Sequence, residues 1–254
     1  MRNAWIICRK ELGSYFVSPV AYVLLALWAV IFGYFFWVQL GLFVRFGMEM
    51  QMSGQMSPMN LNEQLIRPLL ENVAVIGLFF LPMITMRLFA EEKRNGTFEL
   101  LATSPIRDLE IIAGKWMAAM SLYCCMLLFT VVHFLFLFKY GHPDWKPMVV
   151  AYLGLLLEAG AMLAIGAFIS SLTKNQIIAG TVTFGVLILL WVFSWVDFNS
   201  TGWAHVLSYM ALTTHKDSFM RGVVDSKDGI YYATLIFLGL FFTARSLESL
   251  RWRS

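Results

Sequence analysis

Ser171-Leu172-Thr173-Lys174 sets a hydroxyl and an amine at S-x-x-K spacing, in which a lysine can activate a serine nucleophile. The tetrad carries no partner motif and sits where an apolar run ends, so it reads as a helix-ending loop cap rather than a catalytic pair. Glu158 is a carboxyl in the middle of another apolar run, and such carboxylates face a cavity or a partner. It is expected either in a translocation path or in an inter-helix hydrogen bond, with a protonated structural glutamate as the third reading. His133 reads as a satisfied packing histidine. Cys8, Cys124 and Cys125 offer neither a disulfide framework nor metal-ligand spacing, and no H-E-x-x-H occurs, so no metal site is expected. A phosphate-binding G-x-x-x-x-G-K-[ST] is also missing. Gly114-Lys115 is followed by Trp116, and Leu109 stands at the first glycine's place. These residues predict no catalytic group and no cofactor bound by this chain.

The elements around them are apolar. The chain is 59% hydrophobic and 14% charged, with 22 Phe and 9 Trp, more than a water-soluble core can bury. Mean hydropathy is +0.69. Six spans are expected, at about 20–43, 71–89, 116–138, 148–171, 177–196 and 230–245. The second and sixth have the shortest uncharged cores, and Pro82 should kink the second. The first is too long for a signal-peptide core and is expected to be retained. Of 19 Lys and Arg, 12 fall on the side of the termini, which predicts both termini in the cytoplasm. The basic residues form no clustered stripe, so nucleic acid is not expected as a partner.

Ahead of the first span, Trp5, Cys8, Leu12 and Phe16 recur at helical spacing, which predicts an amphipathic interfacial helix over 1–18, turned into the bilayer by Ser18-Pro19. Residues 44–70, rich in Met, Gln and Asn with Pro58 and Pro68, read as an outer loop with little regular structure. Trp203, Val206, Leu207, Tyr209 and Met210 make an apolar helical face within the outer segment 197–229, which reads as re-entrant. Gly141-His142-Pro143-Asp144 is a turn between spans three and four. Small residues recur along span four, from Gly154 to Ser170, allowing close helix approach within one chain or between two.

One stretch departs from the apolar background. Arg87, Glu91, Glu92, Lys93, Arg94 and Glu99 crowd into thirteen positions between two spans. Arg87, Glu91 and Arg94 share a helical face that continues span two. Asn95-Gly96 ends that helix, and Thr97 can cap a new short one running to Thr103, with Glu99 in its first turn. Ser104-Pro105 stops it and begins a helix that reaches Gly114-Lys115 and enters span three. A short helix with Phe98, Leu100 and Leu101 apolar is marginal alone and needs a receptor. A solvated loop that only fixes topology is the plainer reading.

"RLFAEEKRNGTFELLATSPIRDLEIIAGK", Arg87 to Lys115, resembles the signature of permease subunits of the ABC-2 class of ABC transporters, nearly without a break. "HKDSFMRGVVDSKDGIYYATLIFLGLFFTARSLESLRWR", His215 to Arg253, resembles the C-terminal part of the branch with gliding-motility and nitrous-oxide-reductase-maturation permeases. The resemblance implies a single all-α membrane domain over 1–254. It would hold six transmembrane helices, the interfacial helix 1–18, a cytoplasmic coupling segment 87–115 and outer re-entrant helices within 197–229. Gly96, Thr97, Phe98, Glu99, Leu100 and Leu101 would form a coupling helix docking on a separate ATPase subunit. Arg87, Glu91, Glu92 and Arg94 would anchor the adjoining gate.

The expected protein is therefore a multi-pass permease of the bacterial inner membrane, itself not an enzyme. It would work with an ABC ATPase that binds ATP and Mg, with a second permease chain, with membrane lipid and with a periplasmic accessory protein. The expected task is export of an unidentified substrate. A subunit passing force to an envelope partner without transporting anything, and a membrane-embedded enzyme, are the alternatives.

Overall fold

Ser18-Pro19 divides the first two helices of the computed structural model, which describes residues 2–53, 60–97, 106–195 and 202–251. Helix α1 (Arg2–Val17) ends at Ser18, whose hydroxyl accepts from the Val20 amide, while Pro19 opens α2 (Pro19–Met52), where no amide hydrogen is needed. A five-residue π-turn (Asn62–Ile66) leads into α3 (Arg67–Thr85), and α4 (Ala90–Asn95) follows after a turn. Then come α5 (Asp108–Tyr140), α6 (Trp145–Leu172), α7 (Gln176–Val192) with a 3-10 turn at Phe193–Trp195, α8 (Gly202–Met210), α9 (Asp217–Met220) and α10 (Ser226–Arg251). No strand occurs among the described residues, and six helices are long and apolar enough to cross a membrane. This is an all-α, multi-pass membrane protein.

Helix α2 runs nine residues beyond its expected end at 43, and with the π-turn and the start of α3 it makes much of 44–70 helical, so the expected irregular loop is corrected. Met, Gln and Glu favour helix once the lipid is left behind. Pro68 follows the π-turn without an amide to donate, and the Gln64 carbonyl four residues back accepts from Gln39 Nε2 at 3.1 Å instead, while residues 54–59 lie outside the described set.

The second span is also shifted. It was expected to run straight from 71 into the charged stretch, but α3 stops at Thr85 and residues 86–89 form a turn before α4. Pro82 contributes no amide hydrogen, and the Thr85 hydroxyl donates to the Pro82 carbonyl, so the ladder loosens just ahead of the break. Asn95-Gly96 does end the following helix, with Gly96 left-handed at φ 72°.

Helices α3 and α6 are the most enclosed, and α2, α7 and α10 are peripheral. The small residues of span four are used within the chain. A Cβ on Gly154 would stand 2.5 Å from Phe219 Cβ, and one on Gly166 would stand 2.4 Å from Thr85 Oγ1. One on Gly160 would meet Ile236 and Trp116, whose indole donates to the Gly160 carbonyl at 3.1 Å. At one end of the bundle lie α1, α4 and the start of α5, together with the joint between α6 and α7 and the end of α10. At the opposite end the Gly141–Asp144 turn is pinned to the π-turn, where Asn62 Nδ2 donates to the Asp144 carbonyl at 2.7 Å and the Asp144 amide donates back at 3.0 Å.

Candidate functional site

Lys115 is the residue around which the charged end is organised. It is 2% exposed, and its ammonium lies 3.0 Å from Glu11 Oε1 and 2.9 Å from Glu92 Oε1. Three helices, α1, α4 and α5, thus meet at one cation that also stands over the Phe89 ring, 5.6 Å from its centroid. Glu92 Oε2 is buried without a hydrogen-bond partner, so the cluster holds two carboxylates for one ammonium. Of these three charged residues, the resemblance had implied a site role for Glu92 alone. Glu11 and Lys115 lie 104 residues apart, and no local signal joins them.

Helix α1 can approach this closely because Gly114 lets it. A Cβ there would lie 2.7 Å from the Ala4 carbonyl oxygen and 2.8 Å from Ile7 Cβ. The buried stripe is Ala4, Ile7 and Cys8, with Glu11 on the same side, while Trp5 is 65% exposed. Of the residues expected on the apolar face of this helix, Cys8 is buried, Phe16 packs against the core and Trp5 is exposed, while α1 packs on α5 through the face at Gly114 and Lys115. Burial and the neighbouring charge of Glu11 push the Tyr15 phenol above its usual range. Asn3 Nδ2 adds a hydrogen bond to Glu110 Oε2 at 2.9 Å.

Of the expected gate residues, Arg87 pairs with Glu91 at 2.8 Å, Glu92 joins Lys115, and Arg94 is exposed on α4. Arg87 does this from the turn rather than from a continued helix. Gly96 and Thr97 are described, the Thr97 hydroxyl reaching back to the Glu92 carbonyl at 3.4 Å. Phe98, Glu99, Leu100 and Leu101, with the helix expected to 103 and the Ser104-Pro105 stop, lie outside the described residues.

Glu158 lies in the middle of α6, far from that cluster and 2% exposed. Its Oε2 has no hydrogen-bond partner, and neither has the buried hydroxyl of Thr213. Both face one narrow chamber walled by Ala74, Val75, Leu78, Met162, Trp191 and Leu212, closed too tightly to admit water. Val75 and Thr213 also line a recess of about 310 Å³ at the opposite end, beside Asn72 and the buried Lys216. A larger recess, about 560 Å³ between Asn62, Arg67, Asp144 and Arg221, is separate from Glu158.

The remaining candidates have structural partners. The Ser171 hydroxyl donates to the Phe168 carbonyl of its own helix at 2.6 Å, which leaves it no nucleophile's geometry. His133 packs between the rings of Phe32 and Phe36 with Nδ1 2.9 Å from the Phe129 carbonyl. No group of three His, Cys, Asp or Glu suited to a metal occurs among the described residues.

At the opposite end, sequence reading missed a polar clasp. His215 Nδ1 lies 2.7 Å from Asp228 Oδ1, His215 Nε2 lies 2.9 Å from the Tyr209 carbonyl, and Ser218 donates to the other Asp228 oxygen. Asp217 takes Arg67 at 2.6 Å and Arg221 at 2.7 Å. Together these tie the segment between α7 and α10 to α3.

Compared with known proteins, residues 5–220 match the family model described as ABC-2 family transporter protein. No curated protein matches the chain.

Proposed function

This chain belongs to the ABC-2 transporter family, and on that premise we propose that it is the permease subunit of an ATP-driven ABC exporter. ATP and Mg are bound by a separate ATPase subunit, and this chain converts that subunit's motion into movement of a substrate across the bacterial inner membrane. Both termini lie in the cytoplasm, α1 lies along the membrane surface, and α8 dips into the outer interface. A second permease chain completes the assembly.

The observation that carries this reading is the Glu11–Lys115–Glu92 cluster. A charged loop that served only to fix topology would have no need of a buried ion triad, which is costly to desolvate and sensitive to geometry. Here the triad fastens both roots of the stretch 87–115 to α1, giving a rigid base to a segment offered to a soluble partner. Gly96, Thr97, Phe98, Glu99, Leu100 and Leu101 are the docking residues, apolar groups supplying contact and Glu99 setting register. Glu158 belongs to the translocation path, reached from outside through the recess closed by Val75 and Thr213.

Purifying the chain from its native membrane and identifying its companions tests the reading. A companion bearing a phosphate-binding G-x-x-x-x-G-K-[ST] loop is expected, and it should be lost on Glu99→Arg with Leu100→Asp. Absence of any such companion overturns the proposal. An envelope protein recovered in place of solute movement in vesicles favours force transmission without transport.

A further inference from the structure

The break in span two hands its hydrogen bonds to a different helix. The amides of Phe89 and Ala90, which a continuous helix would have paired within itself, both donate to Ser170 Oγ of α6, at 3.2 and 3.1 Å. The same hydroxyl donates to the Met86 carbonyl at 3.4 Å, and Ser170 is fully buried. One residue on, the Lys93 ammonium donates to the Ser171 carbonyl. A turn away, Gly166 gives Thr85 its seat. Helix α4 therefore hangs from α6 by side-chain hydrogen bonds, while its covalent link to α3 runs through a four-residue turn.

We infer that Ser170 is the positioning residue through which the stretch 87–115 drives span four rather than span two. A turn yields to load, whereas a hydroxyl holding two amides and a carbonyl in a dry site has one geometry. Span four then carries the displacement to the opposite end. Phe219 of α9 sits on Gly154, and α10 runs along α6 with Ala164 against Gly239. The same rod carries Glu158 past Thr213. The inference rests on the proposal that an ATPase docks on 87–115.

The test uses the intact complex in nanodiscs, with the three native cysteines replaced and a single spin label at Val223→Cys, an exposed position beyond α9. ATP hydrolysis and the label's response to ATP with vanadate are read together. The parent and Ser249→Ala, whose hydroxyl donates within its own helix, should hydrolyse ATP and show the label response. Ser170→Ala should keep its companion and its hydrolysis but lose the response. Lys93→Met, which cuts the outer strand of the joint at a half-buried site, should reduce it, and decides the matter should Ser170→Ala fail to fold. A parent-like response in these variants overturns the joint. A parent complex with no nucleotide-dependent response overturns the functional reading beneath it.

Discussion

Lys115 Nζ and Glu92 Oε1 lie 2.9 Å apart across the mouth of the charged stretch, one at its far root on α5 and the other at its near root on α4. That single contact closes a loop of more than twenty residues at its base, and Glu11 ties the same base to α1.

Lys115→Met should therefore do more harm than either glutamate substitution. It leaves two carboxylates facing one another in a poorly hydrated site, at a cost of about 3 kcal/mol, the low end for a buried pair because both glutamates keep some water. Thermal unfolding in detergent checks this, and Glu11→Gln combined with Glu92→Gln in the Lys115→Met background should recover most of the loss. Full additivity of the three changes would mean that the groups do not act as a cluster.

Gly166→Ala should destabilise by roughly 1–3 kcal/mol, since the new methyl has to displace Thr85 in a packed core. Gly185 has nothing within 4 Å of a Cβ built on it. Gly185→Ala should be neutral or gain about 0.5–1 kcal/mol from helix propensity. Comparable losses at both positions, measured by unfolding, would contradict the packing argument.

Glu158→Gln keeps the shape of the side chain and removes its charge. The complex should assemble with its ATPase and hydrolyse ATP, yet move less solute in vesicles. Ser171→Ala should change neither assembly nor turnover, because the hydroxyl serves only the Phe168 carbonyl. Lost activity in Ser171→Ala, with the fold intact, would revive the hydrolytic reading of the tetrad.

Asp228→Ala frees His215 and Ser218 together and should loosen the opposite end alone. Limited proteolysis should cut within 211–225 in the variant and not in the parent. Co-purification of the ATPase, which on the proposed reading depends on the other end of the bundle, should be unaffected. Coincident loss of both would show that the two ends are not separable.

The six spans could be found in the sequence because lipid imposes a length and an apolar composition that any crossing helix must meet. The Gly96 stop and the Ser18-Pro19 junction were equally legible, being matters of local backbone chemistry. What could not be read was which face of each helix met which neighbour. Nothing local marks Glu11 as a residue turned inward, because its partner is 104 positions away. The break at 86–89 was hidden for a related reason, its amides being satisfied by a serine eighty residues on. Lengths failed where the chain leaves the lipid, since the hydrophobic signal of the first span ends near 43 although its helix runs on to Met52.

The glycines of span four have a further consequence for stoichiometry. Gly154, Gly160 and Gly166 are the surfaces on which membrane helices usually find one another, and all three are already occupied by Phe219, Ile236 and Thr85 of the same chain. The peripheral faces of α2 and α7 present Tyr34, Trp37, Ile177 and Leu189 instead, side chains that solvate in lipid as readily as against protein. A second copy gains little by displacing acyl chains from such a surface. If two copies pair as proposed, they would be held mainly by what straddles them in the aqueous phase, and removing the ATPase should release monomers.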